Sequence, residues 1–360
     1  MFFYSVNPNF LLIHERNISR SCRDGESSIQ IQDYLRKDTM KAGFLISTGV
    51  VEIREVSKPS ISENNQVLVK NKLSTICGSD THVVWDTKPE YWAKTPGYPG
   101  HESVGVVEES SDPAINVGDL VLCVPNLKYA GGFAEYQVLP SNLVIKIPAD
   151  SHDESIILAQ QLGTVIFGMK RFHDNIGNGT VAIMGAGSVG LFFVAVCKLA
   201  GFKNIIVSDL HDHRLEVAKQ MGATHTIVAE GDAIVSLVRE VNPEGAWLNI
   251  DAAGKDVTRI QCIHCVAVSG RIGYFGMPEG KNMTIPFEKL YALKPTVEFS
   301  WDAQAEAGHT SFHEALEDIR SGKIDLSPIK LRLWPLDELS SALTAAHNAD
   351  KGFLKAGIRF

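Results

Sequence analysis

The stretch that most restricts the fold is "TVAIMGAGSVGLFFVAVCKLAG", from Thr180 to Gly201. An apolar run suited to a buried strand ends at Gly185, Gly187 and Gly190, spaced G-x-G-x-x-G, and an apolar helix follows at once. The first glycine permits a tight turn, the second lets the backbone approach a pyrophosphate, and the third lets helix lie close on strand. The helix start at Ser188 and Val189 then turns unpaired N–H groups towards the phosphates. Such a turn means little alone. A second strand, "NIIVSD", ends in Asp209, close to the ~20-residue offset at which a carboxylate meets an adenosine ribose. Asp209 would accept from both ribose hydroxyls and repel a 2′-phosphate, so NAD(H) is expected over NADP(H). Arg214 is either a support for that ribose or a solvated helix charge.

The alternation continues through "HRLEVAKQMGA", "HTIVA", "DAIVSLVREV", "AWLNIDAAG", "VTRIQCIHCVAVSG" and "RIGYFGM". Strands alternating with helices predict an α/β Rossmann, doubly wound parallel sheet. Upstream, from Lys41, the texture differs: "GVVEIREV", "QVLVKNKLS", "ESVGVVEES", "DLVLCV" and "FAEYQVL" are short strands between turn residues. They predict a small, partly open β-barrel-like domain. "DESIILAQQLGTVIFGMKRF" has helical spacing and an acidic start. After Trp301 come two amphipathic helices, "TSFHEALEDIRSG" and "LDELSSALTAAHN", and a terminal strand, "KAGIRF".

A chain of 360 residues suits about two domains. A formal charge of −8 argues against a nucleic-acid or anionic-membrane binder, since both demand basic surface. No apolar run approaches the roughly 20 residues of a membrane span. Six cysteines lie scattered without disulfide-framework spacing, which points to a reducing compartment, the cytoplasm. The opening "MFFYSVNPNFLLIHERN" lacks the basic start and cleavage site of a secretion signal. Residues 1–39 are expected to be a poorly ordered extension, with Met40 opening the first domain. An upstream start codon chosen in error would give the same text.

"GYPGHESVGVVEES" places His101 and Glu102 between a Pro-Gly turn and an apolar strand. Twenty-four residues earlier stands Cys77, in "STICGSDTHVV", between a strand and a turn. Thiolate, imidazole and carboxylate together suit zinc, and three protein ligands with an open position describe a catalytic site. Each residue also has a plainer reading: a small buried thiol, and a loop-end pair that is simply hydrogen-bonded.

Taken with the nucleotide fold, these residues closely resemble the zinc-containing medium-chain dehydrogenase/reductase superfamily, which includes alcohol, sorbitol and threonine dehydrogenases. The resemblance runs from Met40 to Phe360 through "CGSDTH", "GHESVGVVEE", "VGD", "GGFAEYQVLP", "GAGSVG" and "SGKIDL". It implies a GroES-like β-rich catalytic domain, residues 40–171 with 304–360, and a Rossmann NAD-binding domain, residues 172–303. It implies one catalytic zinc on Cys77, His101 and Glu102, with Gln160 at the further ligand position and Asp80 orienting His101. Ser79 and His82 match a proton relay that passes through the nicotinamide ribose to water. Thr164 matches a position against the nicotinamide, Phe275 and Gly276 the backbone that holds the carboxamide. Lys355 matches a basic residue reaching the pyrophosphate, or is a surface lysine.

Two departures stand out. Gln160 replaces the usual Cys or Glu, as in sugar-dehydrogenase branches, and offers only a weak neutral ligand. The interval after "VGD" holds Cys123 alone, so no structural zinc is expected; "CIHC", at Cys262 and Cys265, reads as buried small residues. Trp85, Tyr91 and Trp92 either wall a substrate pocket or form a loop mini-core. The implied activity is hydride transfer between a small-molecule alcohol (polyol, sugar or simple alcohol) and NAD. The alternatives are a zinc-free quinone or enoyl-type reductase of the same superfamily, and a non-catalytic NAD-binding protein. A homodimer or homotetramer is expected, joined at the sheet edge around "RIGYFGM".

Overall fold

A computed structural model describes residues 38–86, 95–149, 151, 154–349 and 352–360. Most of the proposed extension, and Tyr91 and Trp92, lie outside these residues. The described residues start with an antiparallel pair, β1 (Thr39–Ser47) and β2 (Val50–Ser57). Next come β3 (Gln66–Thr75), helix α1 (Gly78–Asp86), β4 (Glu102–Ser110), β5 (Leu120–Cys123), β6 (Tyr136–Pro140) and β7 (Val144–Lys146). Helix α2 (Ala159–Phe172) leads into β8 (Thr180–Met184), α3 (Ser188–Ala200), β9 (Asn204–Asp209), α4 (Asp212–Met221), β10 (His225–Val228) and α5 (Ala233–Val241). The alternation closes with β11 (Ala246–Asp251), α6 (Asp256–Cys265), β12 (Val266–Tyr274), α7 (Phe287–Leu293) and β13 (Thr296–Phe299). Last come α8 (Thr310–Arg320), β14 (Leu331–Pro335), α9 (Leu339–Asn348) and β15 (Lys355–Arg359).

Two larger sheets result. The first runs β14-β15-β3-β4-β5-β7, with β6 also paired to β3, so the chain's last strand inserts beside one of its first. In β3 and β4 the antiparallel register sets Thr75 opposite Glu102, which delivers Cys77 and His101 to the same sheet end. The second sheet is parallel, in the order β10-β9-β8-β11-β12-β13. All five residues of β8 are buried, as expected for a parallel strand covered on both faces. The winding reverses between β8 and β11, which opens a crevice at the carboxyl ends of those strands.

Helix α2 positions one sheet against the other. Its Leu162, Val165, Met169 and Phe172 belong to one apolar core with Leu122 and Ile145 of the first sheet and Leu191 and Phe193 of α3. Each such side chain contributes about 1.5–3 kcal/mol by leaving water. Gly163 is what lets α2 meet α8: a Cβ there would lie 2.4 Å from the Phe312 ring.

The structure corrects two expectations. "GSDTH" is not a turn but the first part of α1. The strand carrying "RIGYFGM" is not an edge, because β13 pairs along its outer side from Arg271 to Tyr274.

Candidate metal centre and nucleotide cleft

The N-terminus of α1 and the start of β4 assemble the first cluster. Cys77 stands at the head of α1, and Asp80 reaches back so that its Oδ2 accepts the Cys77 N–H at 2.8 Å, half of a capping box. The other oxygen of Asp80 lies 3.0 Å from His101 Nδ1. One carboxylate thus sets both the thiol-bearing backbone and the imidazole. Nδ1 also faces the Pro99 carbonyl at 3.1 Å. With two acceptors before it, Nδ1 carries a proton, so Nε2 is the nitrogen that would meet a metal, giving up its own proton to do so. The Ser79 hydroxyl stands 3.4 Å from that Nε2.

The donor atoms of Cys77, His101 and Glu102 all lie within 4.8 Å of one another. Tetrahedral zinc with N and S ligands sets neighbouring donors roughly 3.3–3.8 Å apart, so a small closure would seat one ion. Donor type, tautomer and spacing therefore fit zinc. Glu102 is 1% exposed and takes hydrogen bonds from Thr75 and, at 2.7 Å, from Lys355 Nζ. Burial raises its pKa, but Lys355 and His101 outweigh it and hold the carboxyl below its usual value. For His101 burial opposes the charge; Asp80 and Cys77 prevail and lift it well above the ordinary imidazole value. Burial pushes Asp80 up in spite of His101.

One expected residue sits differently, and one unexpected residue joins the cluster. Lys355 does not project to a pyrophosphate: β15 runs antiparallel to β3 and carries its ammonium onto Glu102, where it is 2% exposed. Removing one partner of such a buried pair costs about 3–5 kcal/mol. At the head of α2, beside the expected Gln160, Gln161 meets the thiol, its Nε2 3.8 Å from Cys77 Sγ. Both glutamines are buried, and Gln160 Nε2 and Gln161 Oε1 have no hydrogen-bond partner among the described residues. A buried amide atom of that kind calls for a partner. Nothing in the text separates the two; only the phase of the helix does. His82 lies one turn along α1, its Nδ1 2.9 Å from Asp86 and its side chain 33% exposed. Trp85 stacks on His347 at 4.1 Å, towards α9.

The second cluster lies at the switch point. Gly185 has φ +100°, and a Cβ on Gly190 would lie 1.9 Å from the Gly185 carbonyl oxygen, so both must be glycine for the turn itself. Gly187 is different: a Cβ there would meet nothing within 4 Å among the described residues. The open space beside it, at the uncapped start of α3 with Ser188 and Val189, suits a pyrophosphate. Asp209 ends β9, its Oδ2 accepting the Ala186 N–H at 2.8 Å and its Oδ1 the His211 N–H at 2.9 Å, with Arg214 3.7 Å away. Phe275 and Gly276 both donate to the Asp251 carbonyl, at 3.1 and 3.0 Å. Thr164, half-buried on α2, donates to the Gln161 carbonyl; one turn on, Gly168 faces the Phe275 ring. Helix α2, whose head meets the Cys77 thiol through Gln161, therefore runs on past the Phe275 ring. Cys262 and Cys265 are fully buried, and burial pushes the Cys265 thiol up to about 12.

Comparison with known proteins agrees. A zinc-binding dehydrogenase model matches residues 188–320, and an alcohol dehydrogenase GroES-like domain model matches residues 63–149. The chain is 30% identical over 317 residues to L-threonine 3-dehydrogenase of Bacillus velezensis, covering 79% of this chain and 89% of that protein. It is 29% identical over 331 residues to the enzyme of the same name from Bacillus subtilis, 83% of this chain and 93% of that one. Among solved structures, an alcohol dehydrogenase from Thermus sp. ATN1 matches with a TM-score of 0.76 at 24% identity, over 89% of this chain and 100% of that one. L-idonate 5-dehydrogenase from Escherichia coli matches at 0.75 and 21%, over 89% and 98%. These two are likenesses of fold.

Proposed function

The chain belongs to the zinc-containing medium-chain dehydrogenase/reductase superfamily, and from that premise we propose that it moves hydride between an alcohol and NAD(H) at a single zinc. The observation that carries this reading is the convergence of Cys77, His101 and Glu102 on one point. A zinc-free quinone or enoyl-type reductase has no use for that trio, and a purely structural NAD-binding protein has no use for its oriented imidazole. Bound there, zinc would supply a Lewis acid that lowers the pKa of an alcohol towards neutrality.

The protein's own groups do the rest. Asp80 fixes the His101 ring so that Nε2 points into the site. Ser79 stands beside Nε2 to receive the proton of the alcohol, and His82, part exposed and braced by Asp86, hands it to water. The Gly185–Gly190 turn and the start of α3 take the pyrophosphate, Asp209 with Arg214 the adenosine ribose, and Thr164, Phe275 and Gly276 the nicotinamide. Residues 40–171 with 304–360 form the catalytic unit and 172–303 the NAD unit, in a cytoplasmic homodimer joined along β13. Among the described residues no helix is long and apolar enough to cross a membrane.

The test is metal content with a substrate panel. Purified protein should carry about one zinc per chain and reduce NAD in preference to NADP with at least one of L-threonine, a polyol, a sugar or a simple secondary alcohol. A chelator should abolish turnover, and zinc should restore it. Undiminished turnover in metal-free protein would remove the zinc reading; bound NAD without metal or turnover would favour the structural alternative.

A further inference from the structure

Arg259, on α6, is 6% exposed, an unusual place for a guanidinium. Its Nε lies 3.3 Å from Oδ2 of Asp251, fully buried at the end of β11. One Nη donates to the Gly276 carbonyl at 2.8 Å, and the other stands 3.5 Å from Asp256. The Tyr274 ring lies beneath the guanidinium, and its hydroxyl donates to the Arg259 backbone carbonyl at 3.2 Å.

Asp251 fastens the same region from the other side. Its backbone carbonyl accepts the Phe275 and Gly276 N–H groups. Its Oδ1 accepts from the N–H groups of Ala253 and Gly254 and from the Thr258 hydroxyl. The two loops on the β11 side of the switch point, after β11 and after β12, thereby become one body. They touch so closely that a Cβ on Gly276 would lie 2.1 Å from the Gly254 nitrogen. Burying two charges is costly, and an apolar pair of similar volume would be about as stable or more so. What an apolar pair lacks is a directed donor for one chosen carbonyl.

We propose that Arg259 is a positioning residue for the nicotinamide half of the cofactor: by holding the Gly276 carbonyl it sets the orientation of the Phe275–Gly276 turn. The proposal rests on the NAD(H) reading of the cleft. Without the guanidinium the Gly276 carbonyl loses its donor and the peptide can rotate. The effect falls on the nicotinamide side of the crevice and leaves Gly187 and Asp209, across the switch point, untouched.

Titration of the intact protein with NADH and with ADP-ribose separates the two halves, since ADP-ribose has the same adenosine and pyrophosphate without the nicotinamide. Arg259→Lys keeps a positive charge beside Asp251 but cannot span Asp251 and Gly276 together. It should bind ADP-ribose as the wild type does and NADH about tenfold more weakly, the loss expected for one charge-assisted hydrogen bond. Arg259→Met with Asp251→Asn removes both buried charges at once while the Gly276 carbonyl still loses its donor, and should show the same selective loss; it decides the matter if Arg259→Lys gives no cooperative melting transition. An unchanged NADH to ADP-ribose ratio in the deciding variant, or an equal loss of both ligands, overturns the proposal. A wild type that binds neither ligand removes the NAD reading and the proposal with it, and differs visibly from the first outcome.

Discussion

In the proposed cleft one carboxylate, Asp209, would do two jobs. Its oxygens are spoken for by two backbone N–H groups, which tie the glycine turn to the end of β9 and leave the group little freedom to swing away from an approaching anion. Repulsion between two unit charges 4 Å apart is about 4 kcal/mol at an effective dielectric near 20, so a third of that already means about tenfold in affinity. Arg214, 3.7 Å from Oδ2, would turn to a 2′-phosphate once the carboxylate is gone. Asp209→Ser should therefore lower the ratio of kcat/KM with NAD to that with NADP by at least about tenfold, read by steady-state kinetics with both cofactors. An unchanged ratio would remove Asp209 from cofactor choice. Asp209, Cys77 and His101 were legible in the sequence because their chemistry is local: a strand end, a thiol, an imidazole beside a carboxylate. Gln161 and Lys355 were not. Neighbouring glutamines differ only by about 100° of helix rotation, and the partner of Lys355 lies 253 residues away, reached only through the pairing of β15 with β3.

The glycine turn and α3 give an element whose three glycines carry different loads. A methyl on Gly190 would strike the Gly185 carbonyl at 1.9 Å and push α3 off β8, whereas a methyl on Gly187 would enter open space. Gly190→Ala should lower the melting temperature by several degrees, as a loss of about 1–3 kcal/mol from overpacking would. Gly187→Ala should leave melting unchanged and weaken NADH binding, because the methyl occupies the approach to the pyrophosphate. Equal melting losses in both variants would refute that division. The nucleotide sheet was largely readable at this scale, since β8, β9 and β11 are buried apolar runs with turn residues after them. The elements that escaped are those with weak signals. Helix α1 begins with "GSDTH", polar and rich in turn formers, and its hold comes from Asp80 capping Cys77. Helix α7 has no buried residue, and β13 is four residues long, so neither leaves a periodicity to find.

Those two inconspicuous elements carry the exposed apolar surface on which the proposed homodimer rests. Beyond β12 the parallel sheet ends in β13, where Val297, Phe299 and the adjacent Trp301 are 36%, 65% and 71% exposed. Beside them α7 presents Phe287 and Tyr291, 68% and 78% exposed, and a groove of about 570 Å³ lies between this rim and the Phe275–Met277 turn. A monomer's edge strand is commonly guarded by lysine, proline or a bulge. The charge on β13 is Glu298, and Arg171 pairs with it at 3.2 Å. A second copy related by a two-fold axis satisfies the edge in a way that a monomer does not: the two β13 strands pair antiparallel, and the apolar rims cover one another. Light scattering on the purified protein should therefore give twice the chain mass of 39.4 kDa or a larger even multiple. Phe299→Asp places a charge at the centre of the joint and should shift that mass to the monomer while ADP-ribose still binds, since Gly187 and Asp209 lie at the opposite side of the switch point. A wild type that stays monomeric at micromolar concentration, or a Phe299→Asp protein that keeps its assembly, would mean that the exposed rim serves something other than self-pairing.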